Sequence, residues 1–261
     1  MSLPKGYLDT EALDIFAKLL NNIKQRSYDA MSIKKGHKVL DLGCGPGTDT
    51  VPLGLLVGNQ GQVIGVDYDL AMLAEANQRA EQAGVSAWVK HQQTDAASLP
   101  FDSNYFDACR SDRLFQHLPN PVQSLSEMVR ATKSAGRVVI VDTDWGSLSI
   151  DTDEIDIERR YARFVACSAL HNGYSGRTLC RLFKQQNLTD ISFEVFPVAV
   201  TRSMLIRQAT QADRTEQDAV AAGVLSTEEV QRWRGSQAQA DAEGVYFASV
   251  NIFLVTGRKP E

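Results

Sequence analysis

The segment VLDLGCGPGTDT, Val39 to Thr50, places three glycines behind a short apolar run that carries one acid, Asp41. Gly43, Gly45 and Gly47 bare the backbone to a close-lying ligand, and an apolar strand turning through such a loop into a helix is a nucleotide-type site. The spacing selects among ligands. A dinucleotide loop requires G-x-G-x-x-G, and its third glycine would fall at Thr48. A P-loop requires a Gly-Lys-Ser/Thr ending, which is absent. Asp41 would also repel phosphate. A cationic ligand without phosphate satisfies both observations. S-adenosylmethionine (SAM) carries a sulfonium and an ammonium, and Asp41 is expected to hold the ammonium, directly or through water.

Further acids follow in order. VIGVDYD ends at Asp67, where a carboxylate can accept both ribose hydroxyls. In QTDAASLPF, Asp95 can accept the adenine amino group while Ala96 offers its backbone N–H. Asp69 sits at a helix-capping position, and Asp95 also suits a plain turn.

Candidates for the reaction itself are Arg113, His117, Trp145, His171 and Tyr174. His117, in FQHLPNP, reads either as a base or as a hydrogen-bonded loop histidine; His171 reads as a surface residue. Arg113 can pair with a neighbouring acid or with substrate. Asp142 and Asp144 could hold a cation, though such acids more often bond to loop backbone. Cys44 reads as a small filler whose backbone matters. If SAM is the ligand, donation of its methyl group would be an in-line displacement whose leaving group departs as a neutral thioether. Positioning supplies much of the catalysis, and a base is needed only if the acceptor loses a proton. The acceptor atom (O, N or C) therefore stays open.

These residues need elements to position them. Apolar, β-branched runs occur at Lys38–Leu42, Gln62–Val66, Ala87–His91, Phe106–Arg110, Arg137–Asp142, Ile191–Val200 and Ser249–Gly257. Helical patterns cover Asp49–Val57, Leu70–Ala83 and Pro121–Ala131. The alternation predicts a doubly wound α/β fold with helices on both faces of a mainly parallel sheet. Between the last two strands lie about fifty residues of helical composition, with a capping box at Ser226–Glu229. Such an insertion commonly covers a site. A single domain over 1–261 is expected, with a core of about 30–145, 175–200 and 246–257. Helical cap elements are expected at about 1–29, 146–174 and 203–244.

At 261 residues the chain needs no disulfide or metal staple. Net charge is −5 with no basic run, which argues against nucleic acid. Four cysteines without a CxxC pair or a nearby histidine predict reduced thiols and no metal site. No leader pattern or membrane-length apolar run is present, so a cytoplasmic protein without a membrane span, monomeric or homodimeric, is expected.

The elements VLDLGCGPGTDT, VIGVDYDLAMLAEA, QTDAASLPF, FDACRSDRLFQHLPNP and GRVVIVDTDW stand in the order and spacing of class I SAM-dependent methyltransferases. The chain most resembles the group that includes the ubiquinone/menaquinone-biosynthesis C-methyltransferases. The resemblance covers roughly Lys38 to Trp145. It implies a Rossmann-like seven-stranded sheet, mostly parallel with the last strand antiparallel, and methylation of a small-molecule acceptor with S-adenosylhomocysteine as product. It also implies that Asp41, Gly43, Cys44 and Gly45 line the methionine part, Gly47 serving the turn. Asp67 would bind the ribose with Tyr68 and Met72 beside the adenine, and Asp95 and Ala96 would read the adenine. Ser111 would lie by its carbonyl near the methionine part with Arg113 nearby, and the Tyr7 region would fold over the cofactor. Two other classes compete: an NAD(P)-dependent oxidoreductase and a non-catalytic SAM-binding module.

Overall fold

The computed structural model describes residues 10–261; the Tyr7 region expected over the cofactor lies outside the described residues. Seven strands form one sheet: β1 (Lys38–Leu42), β2 (Gln62–Asp67), β3 (Val89–Gln93), β4 (Phe106–Asp112), β5 (Thr132–Ile150), β6 (Thr189–Val200) and β7 (Ala248–Arg258). Their order is β3-β2-β1-β4-β5-β7-β6. The first five are parallel, and β7 runs antiparallel between β5 and β6. The fold is the doubly wound, Rossmann-like arrangement expected, with the final strand reversed. The order turns at β1 and β4, where chains leave the sheet to opposite sides and open a crevice at the strands' carboxyl ends.

Strand periodicity sorts the residues onto two faces. Leu40, Leu42, Cys109 and Val138 pack under α5 (Pro121–Ala131) and α7 (Ser175–Gln185). Val39, Ala108, Val139 and Leu254 pack under α2 (Asn21–Ala30), α3 (Thr50–Val57) and α4 (Leu70–Gln82). α2, expected in the cap, thus belongs to the sheet's own core, because Ile23, Tyr28 and Met31 are apolar and face it. α1 (Thr10–Leu19) precedes it.

The second apolar cluster lies beyond the strand ends. β5 runs well past Asp142, and Leu148 and Ile150 meet α6 (Ile155–Phe164), α8 (Ser203–Ala209), α9 (Ala212–Ala221) and α10 (Thr227–Glu243). Its centre is Trp233, 1% exposed, with Tyr161 5.7 Å away. Ser226 caps α10 through the reciprocal bonds of a capping box with Glu229. Glu158 is buried and accepts the Ile150 N–H. Arg207 pairs with Asp213 and buried Glu216. No helix of the described residues is long and apolar enough to cross a membrane.

Candidate functional site

A cavity of about 470 Å³ opens at the sheet's carboxyl edge, reaching from the glycine loop to the cap. Gly43, Gly45, Asp67, Tyr68, Met72, Asp95 and Ala96 line one end, as the sequence predicts, and Arg113 and His117 stand on its wall. Leu13, Phe16, Leu20, Val200 and Ile206 belong to its apolar lining.

The three glycines answer to different neighbours. A Cβ on Gly43 would come within 2.8 Å of Leu114, and one on Gly47 within 2.9 Å of the Ala76 backbone in α4. On Gly45, φ +51°, it would meet nothing within 4 Å. Gly45 is therefore the glycine that leaves the loop open to the cavity. Asp67 fastens this loop: Oδ2 accepts the Gly45 N–H at 2.9 Å and Oδ1 accepts the Asp69 N–H at 3.0 Å. Asp69 caps α4 by accepting from Ala71 and Met72. Asp95 lines the cavity and also closes a turn by accepting from Ala97 N–H at 2.8 Å.

Asp41, Cys44 and Ser111 are not on the cavity wall, contrary to expectation. Period-two alternation turns Asp41 toward α2, where β1 and β4 pair it in register with Arg110. Arg110 is fully buried and donates to Asp41 at 3.2 Å, to Asp112 at 3.0 Å and to the Ser27 hydroxyl at 3.0 Å; its guanidinium also lies 3.2 Å from Asp49. Lys24 on α2 reaches Asp49 at 2.6 Å and Asp112 at 2.9 Å, and the Tyr28 hydroxyl donates to Asp49. Three carboxyls thus share Lys24 and Arg110, and Arg113 reaches Asp112 as well, at 3.1 Å. Burial pushes Asp41 up to about 7 against the pull of Arg110, and its Oδ2 has no partner. Burial also works to raise Asp49 and Asp112, but Arg110 and Lys24 overcome it at Asp49, and Lys24, Arg113 and Arg110 at Asp112. Asp41 is thus the carboxyl of the three that takes up a proton most readily, and Asp112, held low by its cations, is the member that lines the cavity. Sequence reasoning missed Asp112, Arg110 and Lys24. A paired Asp and Arg inside two otherwise apolar strands was the available signal.

Ser111 donates to the Leu42 carbonyl at 2.9 Å beneath the floor. Cys44 is buried, and its thiol is pushed well up by burial, which leaves it a poor nucleophile. Asp142 accepts from Gln116 N–H, Thr143 N–H and the Ser175 hydroxyl, and Asp144 accepts from Arg177; both serve the backbone and its neighbours. Burial pushes Asp142 up to about 7. His171 and Tyr174 are not part of the cavity lining, whereas Trp145 is.

Arg113 ends β4 in the left-handed region, φ +55°, with Nε on Asp112 at 3.1 Å. His117 closes a short 3-10 turn, Phe115–His117. Burial first, then the charges of Arg113 and His171, lower it to about 4, so it is neutral at pH 7. Gln116, absent from the sequence-based candidates, touches it and lines the same wall.

A family model described as a methyltransferase domain matches residues 33–196. The chain belongs to this methyltransferase family. A relative encoded in a transposon of Streptomyces fradiae, described as an uncharacterized 37.1 kDa protein, is 34% identical over 97% of this chain and 70% of its own length. The ubiquinone/menaquinone biosynthesis C-methyltransferase UbiE of Yersinia pestis is 31% identical over 46% of this chain, a match spanning 47% of that enzyme. The YcgJ protein of Bacillus subtilis shares the fold with a TM-score of 0.65 and 22% identity, covering 94% of this chain and 99% of its own. The protein is a SAM-dependent methyltransferase, and nothing in these comparisons favours a nicotinamide oxidoreductase.

The residues fit the cofactor. The open face at Gly45 gives it room, Asp67 and Asp95 present acceptors on the rim, and Asp112 places an ionised carboxylate beside the loop. When bound, SAM supplies an electrophilic methyl group on a sulfonium.

Proposed function

We propose that the cavity holds the cofactor at its acidic loop end and a neutral, largely apolar small-molecule acceptor at its cap end. The observation that carries this reading is the continuity of one cavity from Gly45 and Asp67 to Leu13, Phe16, Val200 and Ile206. Burying an apolar acceptor against these side chains stabilises the complex by about 25 cal/mol per Å² removed from water. Among the described residues the lining includes no lysine, and its arginine, Arg113, is occupied by Asp112. That charge balance disfavours acceptors bearing phosphate or carboxylate. The C-methyltransferase relative acts, by its name, in quinone biosynthesis; a neutral ring on an apolar stem suits the same chemistry here.

Within this reading Asp67 orients the ribose and Asp95 with Ala96 the adenine. Asp112, Arg113, Gln116 and His117 form the polar wall between cofactor and acceptor. His117 is neutral, so it can hydrogen-bond an acceptor oxygen without adding charge. The in-line geometry requires the acceptor to be held against the loop end, which the apolar helices α1 and α8 can do while excluding water.

Calorimetric titration of ligand-stripped protein with SAM, S-adenosylhomocysteine and NADPH tests the cofactor assignment, alongside Asp67→Ala. Tight binding of the SAM pair, weakened in the variant, is expected. A turnover screen with neutral phenols and quinols against phosphate-bearing amines and prenyl diphosphates tests the acceptor class. Turnover confined to the charged set overturns the apolar assignment.

A further inference from the structure

We propose that Gln116 is a positioning residue that holds the His117 imidazole in the tautomer with its proton on Nδ1 and the Nε2 lone pair turned to the Gln116 amide. The inference rests on reading this cavity as the methyl-transfer site and adds which nitrogen of His117 takes part.

Hydrogen-bond valence decides the orientation of the amide. One end of the Gln116 side chain lies 2.7 Å from Trp145 Nε1, which can only donate. That end must be the oxygen. The other end lies 3.1 Å from the Arg113 carbonyl, which can only accept. That end must be the NH2 group. Exchanging the two would set donor against donor and acceptor against acceptor. The NH2 group also lies 3.1 Å from His117 Nε2. Its remaining proton points to that nitrogen, so Nε2 accepts and a neutral ring carries its proton on Nδ1.

The amide cannot drift from this arrangement cheaply. Gln116 is 7% exposed. Its backbone N–H donates to Asp142 at 3.0 Å, and its carbonyl accepts from Asn172 N–H at 2.9 Å. A buried amide with every group occupied is a rigid template. Trp145, one of its partners, is itself on the cavity wall, so the same amide fixes both a donor ring and an apolar ring.

The consequence is chemical. For Nε2 to take a proton from an acceptor, it must first give up the Gln116 bond. Donation from Nδ1 leaves that bond intact. The template therefore works against the use of His117 as a base through Nε2.

The test is long-range 1H–15N correlation NMR on the full-length protein labelled at histidine, with His117 assigned by loss of its signals in His117→Asn. A neutral ring with the Nδ1–H pattern is expected. In Gln116→Leu the donor is gone, and the spectrum shifts toward the Nε2–H form. In Gln116→Glu a carboxylate faces Nε2, so Nε2 becomes protonated and the His117 titration moves upward. Turnover in Gln116→Leu falls about tenfold or more, while SAM affinity measured by calorimetry changes less than threefold. An Nε2–H pattern in the wild-type protein overturns the proposal, as does an unchanged tautomer in a folded Gln116→Leu variant. If that variant does not fold, the wild-type spectrum alone decides. Failure of SAM binding with the Nδ1–H pattern intact would sink the site assignment and leave the tautomer assignment standing.

Discussion

The Asp67 carboxylate accepts the backbone N–H of Gly45 at 2.9 Å, joining the end of β2 to the loop that follows β1. The acid read from the sequence as a ribose ligand thus also shapes the loop. Each carboxylate oxygen has a second lone pair, so Asp67 can hold Gly45 and Asp69 and still accept two hydroxyls.

Asp67→Ala and Asp67→Asn separate those two duties. The alanine variant removes the loop contact and the ribose acceptor together. Hydrogen bonds to a charged group are each worth about 1.5–3 kcal/mol, so the SAM dissociation constant is expected to rise about 10- to 100-fold or more. The asparagine variant keeps one acceptor oxygen and should fall between. Calorimetry reads both, and equal affinity in all three proteins would remove Asp67 from the site.

Asp41 and Arg110 make a second contrast. Asp41→Asn imitates the protonated carboxyl that the cluster already favours, so SAM affinity is expected to stay within about threefold, a difference under about 1 kcal/mol. If Asp41 held the ammonium, as its place in the sequence suggests, the loss would be far larger. Arg110→Met removes the cation that reaches all three buried carboxyls. Breaking such a buried network by deleting one partner is expected to destabilise the protein by about 3–5 kcal/mol. Urea denaturation of the two variants reads the difference, and comparable loss in both would contradict the assigned proton.

Elements with a linear pattern were legible in the sequence, and contacts made across the sheet were not. β1 and α5 occupy the expected ranges because an apolar run and an Asn120 cap with Pro121 announce them locally. β3 begins two residues later than expected, since Trp88 and Val89 close a turn on Val85 and the Trp88 indole donates to the Gly54 carbonyl. β5 outruns its apolar pattern because β7 pairs with it as far as Ile150 in the cap. Within the site, Gly45, Asp67 and Asp95 were readable from motif spacing. Asp41 turns away from the cavity lining because a motif fixes position along the strand, while the face it points to depends on the register with Arg110. Gln116 carries no sequence mark at all, and its meaning arises from Trp145, twenty-nine residues away.

Protonation should make stability flat in pH for the wild type and tilted in variants. Asp41 and Asp142 are raised to about 7, so between about pH 4 and 7 the native state holds protons that the unfolded chain has lost. They lower stability as pH rises through that window. His117 and His91 are lowered by burial to about 4, so between about pH 4 and 6.5 the unfolded chain holds protons that the native state refuses. They raise stability over nearly the same window. Two groups of each sign nearly cancel. In Asp142→Asn stability should therefore climb with pH, and in His117→Gln it should fall, each by up to about 1.4 kcal/mol per pH unit. Denaturation at pH 4.5, 5.5 and 6.5 measures the slopes; slopes of the same sign in both variants would refute the assignment.

Gly45→Ala and Gly47→Ala should fail in different ways, although the two positions are separated by one residue. Both glycines have positive φ, so alanine costs about 1–2 kcal/mol at either. At Gly47 the new methyl would also sit 2.9 Å from the Ala76 backbone, and the loop and α4 would have to part. A larger loss of thermal stability is therefore expected there, about 3 kcal/mol or more with the packing strain added. At Gly45 the methyl meets no atom of the described residues within 4 Å and projects where the cavity wall opens. The fold should hold with only the backbone penalty, while SAM binding is blocked by the methyl itself. Paired melting curves and SAM titrations distinguish the cases. Full SAM affinity in a folded Gly45→Ala variant would show that the cofactor does not lie against this loop.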